Sequence, residues 1–214
     1  MRPADSPAWR ATTWQVASLL LAYPDEQLVA HRPLLRSLAG SLPGPAALPL
    51  GRFLDHLDAV PLRELEASYV DTFDHRRRCC LYLTYYAYGD TRKRGMALLR
   101  FKHAYRSAGL ELRVDELPDH LAVVLEFAAT GDAEQGRRLL LEHRAGVEIL
   151  RLALADAGSP YVDVLRAVSA TLPPLAGPDR EAVARLVAAG PPAEEVGLQP
   201  FAPPEYLPAA GGRP

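Results

Sequence analysis

The chain has 214 residues, a formal net charge of −2, 49% hydrophobic residues and 23% charged residues. This is the balance of an ordinary globular domain, and so small a net charge excludes an overall field that would draw the protein to nucleic acid or to an anionic membrane. No stretch reaches the roughly 20 apolar residues that span a bilayer, and the two adjacent cysteines give no sign of a disulfide framework. We therefore expect a cytoplasmic protein with no direct membrane insertion and no nucleic-acid partner.

Apolar residues recur at the spacing of an α-helix along nearly the whole chain, and the first half divides into four predicted helices. The first spans about 6–24, and its apolar centre is expected to be part of a folded helix and not a signal peptide. The second spans 25–40, with Asp25 as its expected N-cap and a kink or break expected at Pro33. Residues 40–49 are predicted to form a loop. The remaining two helices are predicted to begin near Leu50 and Leu62.

The second half continues the same helical pattern. Gly89 is expected to close a short helix and Asp90 to cap the next one, which runs to Gly109. Pro118 is expected at the first position of a helix that ends at Gly131. Three further helices are predicted over 132–157, 159–172 and 179–188.

From residue 190 onward proline and glycine dominate and no apolar period survives, so residues 190–214 are expected to be disordered or loosely attached. No strand and no internal repeat is predicted. The predicted fold is therefore all-α: a single-domain helical bundle of about eight or nine helices over residues 1–189, followed by a disordered proline-rich C-terminal tail.

The stretch "FDHRRRCCLYLTYY", residues 73–86, raises the question of a metal site. His75, Cys79 and Cys80 lie close together, but a structural zinc site needs four ligands and the chain has no third cysteine. The sequence also lacks the phosphate-binding, dinucleotide-binding, nucleophile-elbow and H-E-x-x-H motifs. We predict no metal site, no catalytic residues and no permanently bound cofactor, and interpret the cysteines as small packing groups.

Basic residues are concentrated in 75–106, where nine arginines and lysines stand against one acid, Asp90. Arg92, Lys93 and Arg94 fall in the first turn of a predicted helix, where the helix dipole disfavours positive charge. Two interpretations stay open: the segment binds an anion or an acidic peptide, or it is a solvated face that acids from another helix balance. Nucleic acid is less favoured, because phosphate contacts draw on a wider basic surface.

Aromatic residues adjoin this basic segment. Tyr69 and Phe73 share one helix face, and Tyr82 and Tyr86 share another, so up to four rings could border one groove beside the arginines. Rigid rings next to guanidinium groups are typical of surfaces that recognise a peptide. The alternative is that these rings belong to the core and that only their hydroxyls reach the surface.

Two stretches, "YVDTFDHRRRCCLYLTYYAYGDTRKRGMALLRFKHAYRSAGL" and "ELPDHLAVVLEFAA", strongly resemble the delta-subunit assembly chaperones of the membrane-bound respiratory nitrate reductase. These belong to the all-helical family of redox-enzyme maturation chaperones, which also serves trimethylamine oxide and dimethyl sulfoxide reductases. The motifs R-R-R, Y-L-T-Y-Y, G-D-T-R-x-R-G and E-L-P-D-H occur in the family's order and at close spacing. One departure is Cys80, where the family commonly has a small polar residue.

The resemblance implies a chaperone that binds the apo catalytic (alpha) subunit of nitrate reductase through its N-terminal segment. It would assist insertion of the molybdenum guanine-dinucleotide cofactor into that subunit and prevent early attachment to the membrane anchor. Cofactor biosynthesis proteins are further partners under this interpretation. The alternatives are a chaperone for another molybdenum oxidoreductase of the same family, or an anion-binding regulatory module that is not a chaperone.

The resemblance also implies partner-binding roles for Pro118, Asp119 and His120, with Glu116 before them. We predict that helices around 69–73, 79–86 and 118–127 form a groove for an amphipathic segment, and that the arginines bind acidic groups of the catalytic subunit or the pyrophosphate of the cofactor. The predicted partner-binding residues are Tyr69, Phe73, Arg76, Arg77, Tyr82, Tyr85, Tyr86, Arg92, Arg94, Glu116, Pro118, Asp119 and His120.

Overall fold

The structure, a computed structural model, describes residues 7–89, 91–112 and 116–189. These residues form eleven α-helices and no β-strand, which confirms the all-α prediction. The helices are α1 (Pro7–Leu21), α2 (Glu26–Gly40), α3 (Gly44–Ala59), α4 (Leu62–Phe73), α5 (Tyr85–Tyr88), α6 (Arg92–Ser107), α7 (Leu121–Glu126), α8 (Ala133–Glu142), α9 (Arg144–Asp156), α10 (Val162–Ala170) and α11 (Gly177–Ala189). A 3₁₀ turn (Arg77–Cys79) precedes α5, and a π-helical turn (Phe127–Gly131) follows α7.

The described residues contain more helices than the eight or nine that were expected. One reason is that the helix predicted over 132–157 is two helices, because His143 leaves the helical conformation at φ −107° and ψ 22°. Apolar periodicity continues across this residue, so the sequence pattern alone does not reveal the break.

A second difference between the predicted and the observed helices occurs at prolines, which lie within helices here. The predicted loop over 40–49 is wrong in its second part, because α3 begins at Gly44. Pro45 stands in the first turn of α3, where a backbone N–H would have no helical partner in any case. Pro49 lies inside the same helix, and α2 likewise continues through Pro33.

Two predicted helix-end signals are confirmed, those of Asp25 and Gly89. Asp25 caps α2 as expected, and its side chain accepts a hydrogen bond from the Leu28 N–H at 2.8 Å. Gly89 ends α5 with φ +53°, a conformation that other residues rarely adopt, which confirms the predicted stop. The predicted cap Asp90 and the predicted tail over 190–214 lie outside the described residues.

Helix α1 lies at the centre of the molecule and packs against α2, α7, α10 and the π-helical turn. Its buried face includes Trp14, whose indole N–H donates a hydrogen bond to the Thr171 hydroxyl at 2.8 Å. Helix α10 packs in turn against α3 and α9. None of the described helices is long and apolar enough to cross a membrane.

The segment before α7 differs from its prediction in a way that builds the site. Pro118 is not the first residue of a helix, because α7 starts at Leu121 and His120 holds the N-cap position. Residues 118–120 instead run antiparallel to the segment Leu81 to Leu83, joined by Leu83 N–H to Asp119 O at 3.0 Å and Leu121 N–H to Leu81 O at 2.9 Å.

Candidate partner-binding site

The G-D-T-R-x-R-G and E-L-P-D-H motifs meet around one buried carboxylate, that of Asp119, which is fully buried. Its Oδ2 accepts hydrogen bonds from the Thr84 backbone N–H at 3.1 Å and from the Thr84 hydroxyl at 2.5 Å. Arg94 lies on the other side, with Nη2 3.8 Å from the same Oδ2 and Nε donating to the Thr84 hydroxyl oxygen at 3.2 Å. We call Thr84, Arg94 and Asp119 the buried cluster.

Thr84 was missed by sequence reasoning. It stands within the Y-L-T-Y-Y motif, but a threonine between tyrosines carries no local sign of a carboxylate 35 residues further along the chain. Its full burial gives the reason for a hydroxyl at this position, because a buried carboxylate needs donors.

Tyr82 and His120 form the outer edge of the buried cluster. Their rings meet edge to face at 5.3 Å between centroids, and the Arg94 guanidinium lies 5.4 Å from the centre of the Tyr82 ring. Burial lowers the pKa of His120, although neighbouring Asp119 opposes this shift. Burial also raises the pKa of Tyr82. Both side chains are therefore neutral at pH 7, and both are half-buried, so this edge reaches the surface.

The buried cluster fixes the start of α5, because Thr84 is the residue immediately before that helix. Tyr85 and Tyr86 follow directly, and both rings are largely buried. The Tyr86 hydroxyl lies within hydrogen-bond distance of two carbonyl oxygens, those of Arg78 at 3.1 Å and Cys80 at 2.7 Å. The buried cluster and these bonds together hold α5 and the 3₁₀ turn as one unit.

A cleft of about 190 Å³ opens beside this unit. Tyr85 and Tyr86 form one wall, with Arg77 at its edge, and α9 forms the opposite wall with side chains that include Leu152. Helix α11 closes the third side with Leu186. We call this space the α9 cleft; three of the predicted partner-binding residues line it.

Tyr69 and Phe73 lie elsewhere. They belong to the core, with 7% and 8% of their surface exposed, and pack with Tyr161. The Tyr69 hydroxyl donates to the Leu21 carbonyl oxygen at 3.0 Å, and burial raises the pKa of that hydroxyl well above its usual range. The two rings share a helix face as predicted, but this face points inward, so the structure does not bring them to the α9 cleft.

The remaining predicted residues line neither the buried cluster nor the α9 cleft, and three of the four are exposed. Arg92 and Glu116 are exposed, and Arg76 is exposed and paired with Asp71 at 2.7 Å. Pro118 is buried, and its carbonyl oxygen accepts a hydrogen bond from the Tyr105 hydroxyl at 2.5 Å.

A larger and more open cleft of about 750 Å³ runs between α6 and α8. None of the predicted partner-binding residues lines it. Met96 and Leu99 of α6 line this cleft and are 69% and 54% exposed. Lys93 and Arg100 stand at its rim. We call this space the α6–α8 cleft.

The fold defines the class of the protein as an all-helical bundle, and a solved structure shares this fold. A crystal structure of a proposed redox enzyme maturation protein from Archaeoglobus fulgidus superposes with a TM-score of 0.55 at 24% identity, covering 74% of this chain and 90% of that one. At this level of identity the likeness concerns the fold alone.

Sequence comparison identifies the family within that class. The family model described as nitrate reductase delta subunit matches residues 40–167, and the chain belongs to this family. A protein of Bacillus subtilis (strain 168), assigned as the nitrate reductase molybdenum cofactor assembly chaperone NarJ, is 32% identical over 164 residues, which is 76% of this chain and 89% of NarJ. The resemblance inferred from the motifs is thereby confirmed.

A longer relative is more similar in sequence. The nitrate reductase-like protein NarX of Mycobacterium tuberculosis (strain ATCC 25618 / H37Rv) is 43% identical over 174 residues, or 78% of this chain. The chain spans only 25% of the length of NarX.

Proposed function

We propose that this protein is an assembly chaperone that binds the apo catalytic (alpha) subunit of respiratory nitrate reductase and assists insertion of its molybdenum guanine-dinucleotide cofactor. The observation that carries the proposal is membership of the nitrate reductase delta subunit family, together with a NarJ relative that matches along most of its length. A chaperone acts by binding, so the proposal assigns no catalytic residue. It places the protein in the cytoplasm, with cofactor biosynthesis proteins as further partners.

We further propose that the N-terminal segment of the catalytic subunit binds as an amphipathic helix in the α9 cleft. Tyr85 and Leu152 supply apolar walls, and Arg77 supplies a basic edge. Helix-in-groove recognition requires a face of this kind and no catalytic group. The buried cluster would contribute indirectly, because Asp119 positions the residue that begins α5.

The three basic residues in the first turn of α6 divide into two groups. Arg94 is engaged in the buried cluster, and its side chain is only 14% exposed. Arg92 and Lys93 are exposed and form no ion pair with any residue in the described ranges. We propose that Arg92 and Lys93 take acidic groups of the catalytic subunit or the pyrophosphate of the incoming cofactor. Charge reversal at these two positions should lower the molybdenum content of nitrate reductase in cells; unchanged content would support a solvated face instead.

The test of the proposed function combines copurification with peptide binding. The tagged chain is recovered from nitrate-respiring cells of its source organism, and the nitrate reductase catalytic subunit is expected among the bound proteins. Calorimetry with a peptide of that subunit's N-terminal segment is expected to show micromolar or tighter binding. Recovery of a different molybdenum oxidoreductase would redirect the proposal within the family, and failure of both experiments would refute it.

Hydrogen exchange locates the bound peptide. Slower exchange is expected in Tyr85–Tyr88 and Arg144–Asp156, which form the α9 cleft. Protection of Arg92–Ser107 and Ala133–Glu142 instead would place the peptide in the α6–α8 cleft. This measurement needs no substitution, so it is independent of any change in stability.

A further inference from the structure

We infer that α11 is a removable cover of the α9 cleft, and that a partner helix binds this cleft by displacing α11. The inference rests on the proposed function, since the partner helix is the N-terminal segment proposed above. Three observations carry it: the shallow docking of α11, its packing on the α9 face that lines the cleft and the pattern of its own apolar residues.

Helix α11 is the one helix of the described ranges in which no described side chain is buried. Its main neighbour is α9, and it follows a non-helical segment that contains the exposed residues Pro173 and Pro174. Val187, near its end, is 57% exposed although it lines the cleft. A helix of 13 residues is marginal on its own in water, so α11 depends on half-buried contacts such as that of Leu186. Undocking it exposes little apolar surface.

A partner helix that packs on this face of α9 competes with α11 for the same side chains. Helix α11 packs on α9, and its Leu186 lines the cleft together with Ile149 and Ala153 of α9. A partner helix on that face therefore takes the place of α11. The walls beneath it, from Arg77 to Tyr86 and along α9, lie inside the family-matched residues 40–167, whereas α11 lies beyond them.

The surface on which α11 docks also indicates the chemistry of the helix that replaces it. Val183, Leu186 and Val187 stand at i, i+3 and i+4, which places them on one side of the helix. The exposed side chain of Arg78 stands at the edge of the same cleft. The partner is therefore an amphipathic helix with apolar residues at this spacing and an acidic residue that can reach Arg78.

A cover of this kind lowers the apparent affinity for the partner, because only uncovered molecules bind. The test compares Leu186→Asp, which weakens docking of α11, with the matched control Ala184→Asp, which adds the same charge at an exposed position of the same helix. In calorimetry with the N-terminal peptide of the catalytic subunit, the Leu186→Asp chain is expected to show a Kd at least about threefold lower than wild type. The Ala184→Asp chain is expected to match wild type.

Hydrogen exchange on the wild-type chain gives a second readout that requires no variant. Adding the peptide should speed exchange of the α11 amides while it slows exchange in α5 and α9. Equal affinities for both variants with unchanged exchange in α11 would overturn the cover and leave the proposed function in place. Weaker binding by the Leu186→Asp chain would make α11 part of the partner site and also overturn the cover. Absence of peptide binding by every chain would overturn both proposals.

Discussion

Asp119 shows how one side chain can organise segments that are distant in sequence. Its buried carboxylate joins the start of α5, through Thr84, to the first turn of α6, through Arg94. Removing this carboxylate should lower the free energy of unfolding by more than the net contribution of its hydrogen bonds, because the donors around it stay buried without an acceptor. The residue that the resemblance assigned to partner binding is therefore also a structural residue of the fold.

We predict that Asp119→Ala lowers the free energy of unfolding by about 3 kcal/mol, since it leaves the partly buried guanidinium of Arg94 without its carboxylate. Urea denaturation measures this difference. The matched control is Glu116→Ala in the same motif, an exposed position where a change within about 0.5 kcal/mol is expected. A similar loss for both variants would contradict the role assigned to the buried cluster.

Histidines give a prediction about pH. Burial lowers the pKa of His143 in the folded protein, and its ring packs 4.9 Å from that of Phe101. The unfolded chain takes up a proton near pH 6.5, whereas the folded chain resists it. Stability is therefore full above that pH and falls as the pH drops below it, by at most about 1.4 kcal/mol per pH unit for each such histidine. His120 adds to the same trend.

The check is the free energy of unfolding in urea between pH 7.5 and pH 5.5. This window lies above the range in which most carboxylates titrate. The His143→Gln chain should lose less stability across the window than wild type. Equal losses in the two chains would show that His143 does not contribute.

At the scale of elements, α8 meets the π-helical turn at an unusually close approach. A Cβ on Gly136 would stand 2.4 Å from the Cα and 2.5 Å from the Cβ of Ala128, both too close for any side chain. The atoms in the way include backbone, so no rotation of a side chain relieves the contact. This glycine therefore sets the distance between the two elements.

Gly136→Ala should lower the free energy of unfolding by about 2 kcal/mol or more, since two helical segments must separate to admit one methyl group. Gly95→Ala is the matched control in α6, where nothing lies within 4 Å of the added Cβ. There we expect a gain of about 0.5–1 kcal/mol from the better helix propensity of alanine. Thermal or urea denaturation of both variants measures these changes. Destabilisation of similar size at both positions would refute the close-approach argument.

The predictability of these elements from sequence follows from the range of the interactions involved. The Asp25 cap was predictable because its acceptor and donor lie three residues apart. Periodicity correctly predicted that Tyr69 and Phe73 lie on the same face of their helix. It does not show whether such a face packs against the core or binds a partner. The predicted helix from Pro118 placed Asp119 in a first helical turn. Its true role was not predictable from local sequence, because its hydrogen-bond partner Thr84 lies 35 residues away.

Surface and docking features were the hardest to predict. Met96 and Leu99 follow helical spacing as core residues do, yet both are more than half exposed. The two clefts form between elements whose relative placement only the fold determines. Sequence therefore established the class of structure and the family, whereas the three-dimensional arrangement separated Tyr85 and Tyr86 from Tyr69 and Phe73 as cleft residues.

At the scale of the whole molecule, α1 joins the beginning of the described chain to its later helices. The hydrogen bond from Trp14 to Thr171 spans 157 residues, and α1 also packs against α7 and α10. Contacts of such separation couple distant segments into one cooperative unit. The single domain over residues 1–189 stays a prediction, which cooperative unfolding would test.

We predict that Trp14→Phe lowers the free energy of unfolding by about 1–3 kcal/mol, through one lost hydrogen bond and a smaller ring. The cost is moderated because the Thr171 hydroxyl keeps its bond to the Val168 carbonyl oxygen at 2.6 Å. Far-ultraviolet and near-ultraviolet circular dichroism should report a single coincident transition in both chains. Two separated transitions in the wild-type chain would contradict a single cooperative domain.

The position of α1 has a consequence for biosynthesis. The N-terminal residues are translated first and domains generally fold as units, so Trp14 cannot find its hydrogen-bond partner until residue 171 has been translated. Before those later residues are made, α1 can pack against early neighbours such as α2, whereas the surfaces of α7 and then α10 become available only as translation proceeds. A protein that we propose to guard an unfinished enzyme thus has a central helix that stays incompletely packed until α10 has been translated.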